Sequence, residues 1–334
     1  MLKRPPSSGR HTKSASLYFH YPCFDGLVSA VLAWDFLERT ENWRIVRFCP
    51  VNYEIRDKWI ATELNAPCAI VDFLYHPQAS FWADHHLTTF LTKEARADFA
   101  RRQAQRWLFL DDQANSCAGL LWNRLRSSIP DAARYEEMVS WADKIDSASY
   151  SSVLEAILGD APALRINRSL MLRNGADYAR LLLRHLRTGD LHDVAQLAAV
   201  RTRYDEVQRR TTAGLRQVEK HVALHDGEIA IFDIRTNDDE IISRYAPYYF
   251  FPDARYSIGI VRSPSGARVT AMRNPWRAFE SVSLGNILEG FGGGGHQRVA
   301  SVLVTAENAE RVQQVVERLL FEMRSHAPTE SVIA

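Results

Sequence analysis

The sequence predicts an α/β protein of two domains: an N-terminal domain built on a mainly parallel sheet, a helical linker, and a smaller C-terminal α+β domain. Three observations carry that expectation. With 334 residues the chain is longer than one hydrophobic core usually organises. Its first half alternates short apolar runs with stretches of helical period, the signature of right-handed crossovers and a parallel sheet. From Gly227 onward the texture changes to strands of alternating polarity joined by a tight turn.

Taken in order, the basic stretch MLKRPPSSGRHTKSAS has no apolar segment of the kind a signal peptide needs, and residues 1–14 are expected to be a disordered tail. Ala15–His20 reads as the first strand. Asp25–Leu37 follows with Leu27, Val28, Val31, Leu32 and Leu37 at helical spacing. Further strands are expected at Trp43–Val51, Cys68–Tyr75, Ser80–Asp84 and Trp107–Leu110, and helices at Ser116–Leu125 and Tyr135–Ile145. The stretch from 150 to 225 has few breakers and reads as helical, with Tyr178–Leu186 rich in Leu and Arg and a long helix over Asp193–Val222. Glu228–Ile234 and Arg255–Arg262 alternate as strands, and Ser263–Gly266 turns the chain into a further strand, Ala267–Arg273. A helix at Leu284–Phe291, a glycine run, a strand at Val299–Val304 and a final helix at Ala306–Ser325 complete the pattern. The expected domains are therefore 15–190 and 226–325, with a linker at 191–225.

Composition narrows the function. Hydrophobic residues make up 46% and charged residues 24%, which excludes a disordered or fibrous chain. Forty-one Lys+Arg against 40 Asp+Glu leave a net charge of +1, so no global basic field exists to hold long duplex nucleic acid. No run approaches the ~20 apolar residues of a membrane span. Four cysteines, Cys23, Cys49, Cys68 and Cys117, show no CxxC spacing, which argues against a disulfide scaffold or structural zinc site and for a cytoplasmic protein.

The residues that carry chemistry sit at the ends of apolar elements. Trp82-Ala83-Asp84-His85-His86 follows one run, and Val71-Asp72-Phe73 ends another. Carboxylates and imidazoles at the ends of adjacent parallel strands converge on one crevice, and that donor mixture suits Mn, Fe or Zn. Singly, Asp84 is a turn cap and the histidines surface groups. But the first strand also ends in Phe19-His20-Tyr21-Pro22-Cys23-Phe24-Asp25-Gly26, which puts His20 and Asp25 at the first strand-to-helix turn. Asp25 has a second reading as the N-cap of the helix that follows. Asp143, in Trp141-Ala142-Asp143-Lys144-Ile145-Asp146, ends an amphipathic segment and is otherwise a solvated acid. In the C-terminal part, Gly292-Gly293-Gly294-Gly295-His296-Gln297-Arg298 places four of the chain's 16 glycines in a row. Either this is a flexible loop, or its N–H groups form a nest that holds phosphate between His296 and Arg298. Arg273 is a second phosphate ligand in that reading and a surface arginine in the other.

In this order, His20, Asp25-Gly26, Asp72, Asp84-His85-His86, Asp143 and Gly292–His296 resemble the DHH phosphoesterase superfamily with its DHH-associated C-terminal domain, over roughly residues 15 to 325. The resemblance implies a metal-dependent phosphodiesterase with two divalent ions, usually Mn²⁺, that hydrolyses short single-stranded oligonucleotides or nucleotide-like esters. It also allows a homodimer. It implies that Asp72 bridges the ions, that His20 sits on one, and that Asp25, His85 and Asp143 hold the other. His86 would contact the scissile phosphate, with Asp84 orienting the histidines. Gly293, Gly294, Gly295, His296, Arg298 and Arg273 would bind the nucleotide or terminal phosphate. The family's first motif usually carries Asp-x-Asp, and here Cys23 occupies the first of those places. Cys23 is thus either a thiolate ligand or an apolar filler behind Phe24. Two cations about 3.5–4 Å apart neutralise a phosphodiester's charge and stabilise its in-line transition state. A small-molecule phosphatase or pyrophosphatase, and a nucleotide-binding module that has lost turnover through Cys23, are the alternatives.

Overall fold

A computed structural model describes residues 13–325 except 105, 106, 174, 238 and 296. The expected tail lies outside these up to residue 12, while Lys13 and Ser14 already belong to the first strand. The chain forms two compact units. One holds the chain up to Ser149 together with Ala161–Tyr204; the other holds Tyr150–Asp160 and the chain from Asp205 onward. The stretch from Tyr150 to Asp160 thus falls in the second unit, although it lies inside the span expected for the first domain.

The first unit is an α/β sandwich. Its strands are β1 (Lys13–His20), β2 (Trp43–Val51), β3 (Cys68–Val71), β4 (Phe81–Asp84) and β5 (Leu108–Leu110). Its helices are α1 (Phe24–Arg39), α2 (Lys93–Arg102), α3 (Cys117–Leu125) and α4 (Glu136–Asp146), then, after α5 (Val153–Leu158) in the other unit, α6 (Pro162–Ser169), α7 (Ala176–Thr188) and α8 (Leu191–Gln196). The strands form one parallel sheet in the order β2-β1-β3-β4-β5. Period-two alternation sends Leu17, Phe19, Val71, Phe81 and Ala83 into one core with α1, α3, α4 and α7. Tyr18, Ile70 and Trp82 enter a second core with Trp59, Phe73, Tyr75 and Phe99. Both sheet faces are covered, which is why these strands read as unbroken apolar runs. β3 is shorter than expected because Asp72 adopts φ 54°, a left-handed conformation that ends the extended chain. Phe73, Leu74 and Tyr75 remain buried, but in a loop.

α9 (Ala198–His221) runs across the boundary at Tyr204. The second unit carries β6 (Ala223–His225), β7 (Ile229–Arg235), α10 (Ala246–Phe250), β8 (Tyr256–Ser263), β9 (Gly266–Arg273), α11 (Leu284–Glu289), β10 (Gly294–Gly295), β11 (Val299–Thr305) and α12 (Arg311–Ser325). Its mixed sheet runs β10-β11-β9-β8-β7-β6, with only β7 and β8 parallel. The β8–β9 hairpin is the expected one. α12 starts later than expected, after a 3₁₀ turn at Ala306–Asn308. No helix among the described residues is long and apolar enough to cross a membrane.

Candidate metal centre

The chain leaves β1 for β2 on one side and returns to β3 on the other, so the order of the parallel sheet reverses between β1 and β3. In open α/β sheets, ligands bind beyond the carboxyl ends of the strands at such a point. His20 closes β1, Asp72 follows β3, and Asp84 closes β4, on three neighbouring strands.

Asp72 is 1% exposed, and its left-handed backbone turns the carboxylate back across the strand ends. Oδ2 lies 3.3 Å from His20 Nδ1. Oδ1 lies 3.8 Å from both His85 Nε2 and His86 Nδ1, and it is buried without a hydrogen-bond partner. Burial, then the charges of Asp25, Asp146 and Asp84, push the Asp72 pKa well above the usual carboxylate range. His20 is driven the other way, down to about 4, first by burial and then by His86, so it is a neutral imidazole with a lone pair to offer.

The two histidines after Asp84 are held differently. His85 Nδ1 lies 3.1 Å from the Ala114 carbonyl, which fixes the proton on Nδ1 and leaves the Nε2 lone pair facing Asp25 Oδ2 (3.7 Å) and Asp146 Oδ2 (3.3 Å). That is the usual posture of a ligating histidine. His86 instead donates from Nδ1 to Asp84 Oδ1 at 2.8 Å. Asp84 also takes the His85 N–H (2.9 Å) and the Thr89 hydroxyl (2.5 Å), so its carboxylate is spent on fixing this loop. Desolvation opposes a proton on His86, but the Asp84 hydrogen bond and charge outweigh it and raise its pKa. Asp84→Asn should therefore lower the His86 pKa, read by NMR titration of the metal-free protein. An unchanged midpoint would mean that Asp84 does not set the charge of His86.

Asp25 is 1% exposed and does not cap its own helix, whose N-cap is Cys23. Its two oxygens accept the Cys117 and Ala118 N–H groups at 2.8 Å each, at the N-terminus of α3, where a negative charge is favoured. Asp143 sits beside that helix and accepts the Ser116 hydroxyl at 2.5 Å. Asp146, one turn further along α4, is the acid that joins Asp25 and His85 in a set of donor atoms lying within 4.8 Å of one another. Asp146 was not singled out in the sequence, because the three-residue step along α4 that brings it beside Asp25 and His85 becomes visible only once the helix is placed. Cys23 Sγ lies within the same 4.8 Å limit of His20 and Asp72. Burial, then the charges of Asp72, Asp25 and Asp146, raise its thiol pKa well above normal. Tyr53, also missed, leans edge-on over His20 with ring centroids 5.1 Å apart and is 38% exposed, an aromatic wall beside the centre.

Among the described residues three donor groups result: His20, Cys23 and Asp72; Asp72, His85 and His86; and Asp25, His85 and Asp146. Asp72 belongs to two and His85 to two, so the groups form one continuous centre. The orphaned Asp72 Oδ1 and His85 Nε2 are both buried and aimed at each other. Carboxylate and neutral imidazole donors that lack partners in a buried site fit divalent cations.

In the second unit, Arg273 is 9% exposed, and its guanidinium donates to the carbonyls of Arg277 (2.9 Å) and Phe279 (2.8 Å) while stacking 4.4 Å over the Phe279 ring. It anchors the loop after β9. Arg273→Met should destabilise the protein by about 3 kcal/mol, because buried carbonyls lose a charged donor, as denaturant unfolding will show. The glycine run is not a nest of free N–H groups throughout. Gly292 and Gly293 donate to the Glu289 and Leu288 carbonyls and close α11, while Gly294 and Gly295 pair with Ser301 and Ala300 as β10. A Cβ on Gly293 would stand 2.5 Å from the Ser301 carbonyl oxygen, so close backbone approach explains glycine there. Gly294 has open space and Arg298 is exposed. His296 lies outside the described residues.

No family model matches this chain, and no curated protein does. Solved structures do. The chain is similar to the pGpG-specific phosphodiesterase PggH from Vibrio cholerae, at 18% identity and a TM-score of 0.70, covering 95% of this chain and 100% of that one. It is similar to an exopolyphosphatase-related protein from Bacteroides fragilis, at 14% identity and a TM-score of 0.53, over 92% and 93% of the two chains. RecJ from Thermus thermophilus in complex with Mn²⁺ matches at 15% identity and a TM-score of 0.55, over 93% of this chain and 52% of that one. The fold of both units is shared with these proteins.

Proposed function

We propose that this chain is a DHH-type phosphoesterase, a metal-dependent phosphodiesterase that hydrolyses short oligonucleotides or nucleotide-like phosphate esters. The observation that carries the reading is the continuity of the three donor groups through Asp72 and His85 at adjacent strand ends. Its motif order and its fold point to the same family, and the full-length likeness to a dinucleotide phosphodiesterase favours a substrate of about that size. A net charge of +1 agrees with a short substrate rather than a long polyanion.

In this reading Asp72 and His20 would hold a divalent ion on one side of the centre, and Asp25, His85 and Asp146 would hold one on the other, with Asp143 beside them. When bound, the ions supply neutralisation of the phosphodiester charge and an activated water. The chain's own residues do the rest. His85 keeps its lone pair forward because Ala114 holds its other nitrogen. His86, held by Asp84 with its pKa raised, presents Nε2 as a proton donor to a phosphoryl or leaving-group oxygen. Tyr53 excludes water from one side and offers a ring against which a base can stack. In the second unit, Gly294, Arg298 and His296 would bind a phosphate group. A cytoplasmic location and a homodimer belong to the same reading, open to fractionation and sedimentation.

The test is hydrolysis by the purified full chain, loaded in turn with Mn²⁺, Mg²⁺ and Zn²⁺. The substrates are pGpG, a cyclic dinucleotide, single strands of increasing length, 3′-phosphoadenosine phosphate and pyrophosphate. Mononucleotide release that is fastest from dinucleotides and falls with length is expected. A protein that binds metal yet cleaves no phosphodiester would be the nucleotide-binding module instead, and cleavage of pyrophosphate alone would favour the phosphatase.

A further inference from the structure

We propose that Cys23 is a metal donor, and that the position formed by His20, Cys23 and Asp72 prefers Zn²⁺, Fe²⁺ or Co²⁺ to Mn²⁺ or Mg²⁺. The inference rests on the reading of the centre as a two-ion site and names the class of ion that one of its positions takes.

The two other acids near the first strand end are committed elsewhere. Asp25 turns to α3, where both oxygens accept backbone N–H groups, and it gathers with His85 and Asp146. Asp84 is spent on His85, His86 and Thr89. That leaves His20 and Asp72, two donors, at the position next to β1. The third ligand-type atom within 4.8 Å of both is the Cys23 sulfur. Asp72, 1% exposed, turns Oδ2 to within 3.3 Å of His20 Nδ1, so a buried carboxylate and an imidazole already face this position, while its other oxygen faces His85 and His86.

Cys23 also differs from the chain's packed thiols. Cys68 and Cys117 are 0% exposed and turn their sulfurs to the Gln78 and Ala83 carbonyls at 3.6 and 3.3 Å. Cys23 is half-buried and is the N-cap of the 16-residue α1, where its side chain makes no capping hydrogen bond. Metal capture there replaces the S–H bond with a sulfur–metal bond and releases one proton to solvent, with no change of oxidation state. One thiolate, one imidazole and one carboxylate form a softer set than the all-oxygen-and-imidazole group at Asp25, His85 and Asp146, so the two positions should sort different ions.

The experiment uses the metal-free full-length protein titrated with Co²⁺ and followed by absorption. Wild type should show a near-ultraviolet thiolate-to-cobalt charge-transfer band that saturates at one equivalent. Cys23→Ser and Cys23→Asp should both lack the band, and Asp72→Ala should lose it too. In competition binding, Cys23→Asp should prefer Zn²⁺ over Mn²⁺ by at least tenfold less than wild type. A band that survives in Cys23→Ser or in Asp72→Ala overturns the proposal, because the sulfur seen would lie elsewhere. So does a Cys23→Asp variant with the selectivity of wild type. In either case, continued hydrolysis of pGpG leaves the phosphodiesterase reading standing. A protein that binds no divalent ion at all and cleaves nothing removes both.

Discussion

Asp72→Ala should abolish phosphodiester hydrolysis, with a fall in kcat/KM of about a thousandfold or more, equivalent to about 4 kcal/mol of transition-state stabilisation. The size follows from position. Asp72 is a member of two of the three donor groups, so its loss empties two positions at once, whereas any change at Asp146 touches one. Metal content per chain, measured alongside the rate, should drop, and what remains should be held by the Asp25, His85 and Asp146 group, which lacks Asp72. A metal-loaded Asp72→Ala enzyme with full activity would remove the shared-carboxylate mechanism. The isosteric Asp72→Asn has a second, opposite effect on the metal-free protein. Burial and the neighbouring carboxylates raise the Asp72 pKa in the folded state above the ordinary 3.8. The folded chain therefore holds a proton that the unfolded chain has already released, so stability is full below pH 3.8 and falls as pH rises toward the folded-state value. Asn carries no such proton. The metal-free variant should show a shallower loss of stability with pH than wild type, and it should be the more stable of the two at neutral pH.

Gly26→Ala should be the most damaging single-methyl change in the first unit. A Cβ there would stand 2.0 Å from the His20 carbonyl oxygen and 3.2 Å from Asp72 Oδ2, and the nearer atom is backbone that no rotamer can relieve. α1 must lift off the end of β1 to admit it. The cost is about 3 kcal/mol, a fall of about 6–12 °C in Tm at the scale of this unit. Because the lifted helix carries Cys23 and Asp25, metal affinity should fall with stability. By contrast Gly227→Ala, which meets nothing within 4 Å, is strained only by its φ of 74° and should leave metal binding intact. Equal metal affinity in wild type and Gly26→Ala would show that the close approach does not set the site.

Most of the α/β order was legible because each buried strand is a short apolar run and each helix shows its period. What stayed hidden depends on contacts between distant segments. Asp25 was legible as a candidate ligand, with the cap of its own helix as a second reading, but the amides of Cys117 and Ala118 that it accepts from lie 92 and 93 residues away. Asp72 was legible as a ligand type but not as the residue that breaks its strand, because a left-handed Asp has no signature in an apolar run. Arg273 was read as a phosphate ligand from its place at a strand end; its burial under Phe279 is a tertiary fact. The glycine run announced close approach, and the partner it approaches is β11 of its own sheet. Asp146 and Tyr53 needed the fold to be seen at all.

The excursion of Tyr150–Asp160 into the second unit has a consequence for how the protein is made. Trp276 donates its indole N–H to the Tyr150 carbonyl at 2.8 Å, Tyr150 stacks on Tyr245 at 5.8 Å, and α5 packs on α10. On the ribosome, Tyr150 emerges 126 residues before Trp276, a wait of about 6–25 s at roughly 5–20 residues per second. Until then the hydrogen bond from Trp276 to this segment cannot form, whereas Tyr245 and α10 emerge earlier. A chain released after Tyr204 would lack the rest of the second unit to which Tyr150–Asp160 belongs.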